Sequence, residues 1–165
     1  MEQIKVDELP DFLRDAINKA IITSKKSISY YFHYDVCAVL IDEAGNEFVG
    51  INWESSNGST VCAEQSALAS YFLSERKKIA YVITAGWSEE RDPKSENFCI
   101  PCGSCRQDLN DFCAKDTVII GVNETGDEVR KFTLEELLPY SFGAENLWKT
   151  NLHCKFGGGP IWMKY

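Results

Sequence analysis

Two short cysteine-bearing segments limit what this chain can become: Val61-Cys-Ala-Glu-Gln65 and Pro101-Cys-Gly-Ser-Cys-Arg-Gln107. In the second, Cys102 and Cys105 stand one helical turn apart, so both thiols can face a single ion. Pro101 suits a helix start. The N-terminus of a helix offers unpaired N–H groups and a positive dipole end, and both favour thiolate over thiol. Cys105, Leu109, Phe112 and Cys113 form one stripe, which turns the ligands inward. A helix starting near Cys62 puts Glu64, Ala67, Leu68, Tyr71 and Phe72 on a common face. A carboxylate on that apolar face is costly to bury unless something compensates, and proton exchange with a metal-held water is such a compensation. Thiolates from Cys62, Cys102 and Cys105 leave the fourth corner of a tetrahedral zinc open. Arg106, beside the ligands, is a candidate to donate to the sulfurs and offset their excess charge. Plainer explanations stand beside these. Cys99 can complete a closed structural site. Cys99, Cys102 and Cys105 also resemble part of a ferredoxin run, but Leu109 occupies the place of its fourth cysteine. Glu64 can simply complement a helix dipole.

Composition narrows the partners. The 165 residues carry a net charge of −8, which disfavours a nucleic-acid polymer or an anionic membrane surface. No apolar run is long enough to span a bilayer, and the acidic start, MEQIKVDELPDF, has no signal-peptide core. Seven cysteines, an odd number, do not read as a secreted disulfide framework, so a reducing, cytoplasmic setting is expected. With only two histidines, His33 and His153, a metal centre must lean on thiolate. Neither histidine is given a role. Cys37, Cys113 and Cys154 read as small buried hydrophobes.

The pattern along the chain predicts one domain over 1–165. A helix over 7–23, capped by Asp7 with Pro10 in its first turn, carries Leu9, Phe12, Leu13, Ala16, Ile17, Ala20 and Ile21 on one stripe. Strands are predicted over 35–41 and 47–53, joined by the turn Glu43-Ala-Gly-Asn46, and over 79–85. Helices follow at 62–72 and 101–113, with a charged loop over 87–98 between the third strand and the second of these helices. Strands at 117–122 and 128–132 flank Asn123-Glu-Thr-Gly-Asp127, and a short helix over 134–138 stops at Pro139. The alternation implies a sheet packed between helices.

The pair Cys-Ala-Glu and Pro-Cys-Gly-x-Cys-Arg-Gln, about forty residues apart, resembles the zinc motifs of the small cytidine deaminases. The resemblance covers roughly residues 7–147 and leaves 148–165 as a C-terminal extension. It implies an α/β three-layer sandwich with a mixed five-stranded sheet between helices. It implies Zn²⁺ on Cys62, Cys102 and Cys105, with Glu64 as the catalytic proton carrier. Gly50-Ile-Asn-Trp-Glu54 is similar to the family's G-x-N-x-E strand, so Asn52 and Glu54 are expected on the ribose hydroxyls. Leu137-Leu-Pro-Tyr-Ser-Phe-Gly143 is similar to its C-terminal motif, so Phe142 is expected to stack on the pyrimidine from an adjacent subunit of a homotetramer or homodimer. Ala63 and Tyr34 complete the expected substrate contacts. The implied reaction is hydrolytic deamination of a free cytosine nucleoside.

This chain also departs from the family. Tyr34-Asp-Val-Cys-Ala38 stands where F-x-V-G-A is usual, and Glu54-Ser-Ser-Asn-Gly58 is about one residue short of the usual loop. Ala144 replaces a common proline, and the tail after Leu147, with Trp162 and Tyr165 as candidate anchors on a neighbour, has no counterpart. These changes leave two further readings open. One is a deaminase of a modified cytosine nucleoside such as blasticidin S, and the other is an inactive binding protein on the same fold.

Overall fold

The computed structural model describes residues 2–88, 97–143 and 146. The expectations for most of the charged loop, for Ala144, for His153 and Cys154, and for the 148–165 extension with Trp162 and Tyr165 lie outside the described residues. In chain order the elements are β1 (Glu2–Lys5), α1 (Asp11–Ser24), β2 (Asp35–Asp42), β3 (Glu47–Ile51), β4 (Trp53–Glu54) and β5 (Thr60–Val61). They continue with α2 (Ala63–Phe72), β6 (Ile79–Trp87), α3 (Gly103–Phe112), β7 (Val118–Val122), β8 (Glu128–Thr133) and α4 (Leu134–Leu137). No helix among the described residues is long and apolar enough to cross a membrane.

The main sheet has six strands in the order β1-β8-β7-β6-β2-β3, one more than expected. The extra strand is β1, which pairs antiparallel with β8 and sets Gln3 opposite Arg130. Three of its four residues are exposed, so it lacks the alternation by which a strand is read from sequence. It is held by its ladder with β8, and Val6 extends that ladder by donating to the Asp127 carbonyl at 2.9 Å.

The first helix also begins later than its pattern suggests. Residues Val6–Glu8 make a single 3₁₀ turn, and α1 starts at Asp11 with Pro10 as its N-cap. Proline disfavours helical backbone at the residue before it, and Leu9 is accordingly extended. The strand expected over 47–53 breaks at Asn52, and its end pairs with β5 as a separate two-stranded sheet.

Alternate residues of the strands feed two cores, one on each face. Cys37, Val39, Ile41, Ile83, Ala85, Ile120 and Val122 pack with Leu13, Ala16, Ile17 and Ala20 of α1. Phe12, expected on that stripe, is 47% exposed at its edge. On the other face, Ala38, Leu40, Val82 and Ile119 pack with Ala67, Leu68 and Tyr71 of α2, Leu109 of α3 and Leu134 of α4. The result is three layers, α1 on one side and α2, α3 and α4 on the other.

Within this sheet β6 and β7 are the parallel pair, and the return between them runs through α3. That crossover starts α3 beyond the carboxyl end of β6, where open α/β sheets place their ligands. Close approach of α2 to the sheet depends on Gly50: a Cβ there would lie 2.2 Å from the Ala67 nitrogen and 2.4 Å from the Ala63 carbonyl oxygen. Both are backbone atoms, so no side chain at position 50 can be admitted by a rotamer change.

Candidate metal centre

The N-termini of α2 and α3 meet, and each begins on a cysteine. Cys62 is the N-cap of α2 and Cys102 the N-cap of α3, both with extended backbone, and Cys105 lies in the first turn of α3. The three sulfurs all lie within 4.8 Å of one another, with Cys62 and Cys102 at 3.9 Å. Bonds of about 2.3 Å to a tetrahedral zinc imply a sulfur–sulfur spacing of about 3.8 Å. Soft sulfur donors in this number suit zinc.

Cys99 is not in the cluster. It is buried, with its sulfur against Gly86 and near the Tyr34 hydroxyl. The three-sulfur arrangement therefore forms without Cys99, against the closed-site alternative. Cys105 is fully buried, Cys62 half-buried and Cys102 exposed. The Cys62 thiol is held down at about 7, chiefly by a hydrogen bond from Cys105, against the opposing effects of burial and the Glu64 charge. The same bond, together with burial, pushes the Cys105 thiol up. One thiolate is thus already favoured in the cluster before a cation draws off the other protons.

Glu64 follows one residue into α2 and is 5% exposed. Burial raises its carboxyl above the usual carboxylate range, and the Asp108 charge adds to this; its own backbone N–H and the Cys105 side chain pull the other way. Ala63, between ligand and carboxyl, is buried at the start of the helix, packed near β3.

Other expected site residues gather elsewhere. Asn52 and Glu54 are both buried, 8% and 6% exposed. The Asn52 amide bridges the start of β2: its oxygen accepts from the Val36 N–H at 2.7 Å and its nitrogen donates to the Tyr34 carbonyl at 2.9 Å. The Glu54 carboxylate accepts the N–H groups of Tyr31 at 2.5 Å and Phe32 at 3.3 Å. These two side chains hold the segment 31–36, and the half-buried Tyr34 in it lays its ring along Gly86.

Arg106 donates to the carbonyls of Pro101 at 2.7 Å and Leu137 at 3.2 Å, not to a sulfur. These bonds tie the start of α3 to the segment before it and to the end of α4. Phe142 is 59% exposed, and its carbonyl accepts from Gln107 at 2.9 Å and Asn110 at 3.4 Å on α3. Its backbone is therefore anchored to the metal-bearing helix while its ring lies open.

Two residues at the site went unread in the sequence. Gln65 accepts the Cys62 N–H at 3.0 Å and donates to Asp108 at 2.8 Å. The cap-plus-three position of Gln65 signals a capping box, but nothing local points to Asp108.

Paired helix N-termini that gather three thiols and a buried carboxyl over a mixed α/β sheet define a zinc-binding protein of the deaminase type. The family model described as "Cytidine and deoxycytidylate deaminase zinc-binding region" matches residues 11–121. This chain belongs to that family. The cytidine deaminase of Halalkalibacterium halodurans is 30% identical over 132 residues, covering 79% of this chain and 94% of the relative. That of Mycoplasma genitalium is 31% identical over 120 residues, covering 72% and 85%. The crystal structure of cytidine deaminase from Burkholderia pseudomallei superposes with a TM-score of 0.66 at 27% identity, covering 76% of this chain and 95% of that one.

Proposed function

We propose that this chain is a zinc-dependent hydrolase that converts a free cytosine nucleoside, cytidine or deoxycytidine, and water into the uracil nucleoside and ammonia. The observation that carries this reading is the three-sulfur cluster with the buried Glu64 against it. When bound, zinc supplies Lewis acidity that brings the pKa of a water molecule it holds toward neutrality. Glu64 takes the proton from the attacking water and passes it to the pyrimidine side, ending on the departing nitrogen. Its burial suits that task, because desolvation raises the carboxyl pKa from the ordinary carboxylate range toward the pH at which it must both take and give a proton.

Asn52 and Glu54 receive the sugar hydroxyls at the edge of the segment they hold, and Tyr34 and Ala63 line the base. Phe142 stacks on the pyrimidine of a neighbouring subunit in a homotetramer or homodimer. Its open ring on an anchored backbone supports that assignment. The setting is cytoplasmic nucleoside salvage, in keeping with free thiols at a metal site. A net charge of −8 weighs against a polynucleotide substrate. The departures at Tyr34 and in the shortened loop Glu54-Ser-Ser-Asn-Gly58 favour, as a second reading, a modified cytosine nucleoside such as blasticidin S.

A panel assay tests the reading. Zinc-loaded protein is offered cytidine, deoxycytidine, blasticidin S and a cytosine-bearing oligonucleotide, and ammonia release is followed. Turnover of the first two, with none of the oligonucleotide, is expected; no turnover of any free nucleoside would sink the proposal. Glu64→Ala should retain zinc and lose about 10²–10⁴ in kcat. A variant that still turns over would remove Glu64 from the proton path.

A further inference from the structure

Beyond the sulfurs themselves, the side chain of Gln65 forms a polar link between the two helices that carry them. Gln65 accepts the N–H of one ligand, Cys62, at 3.0 Å and donates to the Asp108 carboxylate at 2.8 Å. Asp108 stands one turn beyond Cys105 on α3. Each end of the link is therefore at a ligand or one turn from it. Elsewhere the two helices meet through the rings of Phe72 and Phe112, 4.6 Å apart at their far ends. That contact lies two turns from Gln65, whereas the Gln65–Asp108 bond lies beside the sulfurs at the N-termini.

The chemistry of the partners fixes the amide uniquely. A backbone N–H can only donate and a carboxylate can only accept, so the amide oxygen must face Cys62 and the nitrogen Asp108. Capping α2 needs only the first of these bonds. The second reaches across 43 positions of sequence to the other ligand-bearing helix. Asp108 also places negative charge near Cys62 and Glu64, where three thiolates on bound zinc would leave an excess. That cost is set against a gain in geometry.

We propose that Gln65 and Asp108 are positioning residues of the metal centre, holding Cys62 in register with Cys102 and Cys105 and so setting the affinity for zinc. The inference rests on the zinc part of the proposed function and is independent of the nucleoside. Zinc affinity is read without substrate, so a failed substrate panel and a failed link are separate results.

The test compares the full chain, zinc-loaded, with Q65E, D108A and the double exchange Q65E/D108N, by competition for zinc against a chromophoric chelator. Q65E keeps the cap but sets two carboxylates face to face. D108A leaves the cap untouched and removes the far partner. The double exchange reverses donor and acceptor and restores the link. Each single variant is expected to bind zinc about 10–100-fold more weakly, and the double exchange to recover most of the loss relative to Q65E. Wild-type affinity in D108A, or no recovery in the double exchange, overturns the proposal. So does a fall in the melting temperature of the metal-free protein with zinc affinity unchanged, which would reduce the link to a helix tie. If Q65E does not fold, D108A alone decides, because its α2 cap is intact.

Discussion

The carboxylate of Glu54 already has partners before any sugar arrives, in the N–H groups of Tyr31 and Phe32. Its place was expected from the likeness of Gly50-Ile-Asn-Trp-Glu54 to the family's G-x-N-x-E strand, a motif legible in the sequence. Its partners were not: they lie 23 and 22 positions earlier, in a segment with no regular pattern. The same divide runs through the metal centre. Cys102 and Cys105 are readable because one helical turn brings them together, whereas the Gln65–Asp108 link depends on how two helices pack. Replacing Glu54 with alanine removes a charged acceptor from two donors, and bonds of that kind are worth about 1.5–3 kcal/mol each in net terms. The segment 31–36 then loosens beside Tyr34, and sugar binding suffers more than chemistry. The expected result is a KM for cytidine raised about tenfold or more with kcat within about threefold, the pattern of lost uniform binding. An unchanged KM in steady-state kinetics would show that neither the sugar contact nor the loop support matters.

Elements with a buried face were legible, and the mostly exposed β1 was not. The strands β2, β6 and β7 are apolar runs and could be placed from sequence, while β1 has a single apolar side chain among solvent-facing neighbours. The β2–β3 hairpin shows how local chemistry fixes an element. Asp42 accepts the N–H groups of Ala44 and Asn46, both at 2.9 Å, and the Asn46 side chain at 2.8 Å. Burial alone would raise its pKa, but these bonds outweigh it and hold the carboxyl below its ordinary value. A folded-state pKa below the unfolded one stabilises the native state above the unfolded value of about 3.9, and that stability disappears as pH falls through the folded value. Asp42→Asn should therefore cost about 1.5–3 kcal/mol at pH 7, one charge-assisted bond's worth. Urea unfolding at pH 7 and again near pH 2 measures it. The gap between wild type and variant should close at the lower pH, and a constant gap would mean that the charge of Asp42 contributes nothing to the turn.

At the scale of the molecule, the metal centre joins α2 and α3 at their first turns, while both cores are built from other residues. Cys105 is the one ligand that is also fully buried. Neither the apolar cluster under α1 nor the one under α2, α3 and α4 includes Cys62 or Cys102. A chain of 165 residues with two such cores buries enough surface to fold without a staple. This part of the organisation was legible in the sequence: the apolar stripes predict both layers, and the three clustered cysteines, Cys62, Cys102 and Cys105, lie at helix starts and not in strand cores. Zinc should therefore add to stability without being its source. A ligand that binds only the native state, present at a thousandfold excess over its dissociation constant, adds about 4.1 kcal/mol. For a domain of this size each kcal/mol is worth about 2–4 °C, so stripping the metal should lower the melting temperature by roughly 8–16 °C. The stripped protein should keep its helical circular dichroism at 25 °C and still unfold in one cooperative step. Calorimetry before and after dialysis against a chelator checks both. Collapse of the folded signal at 25 °C on removing zinc would place the metal within the folding core and make the three sulfurs as structural as they are chemical.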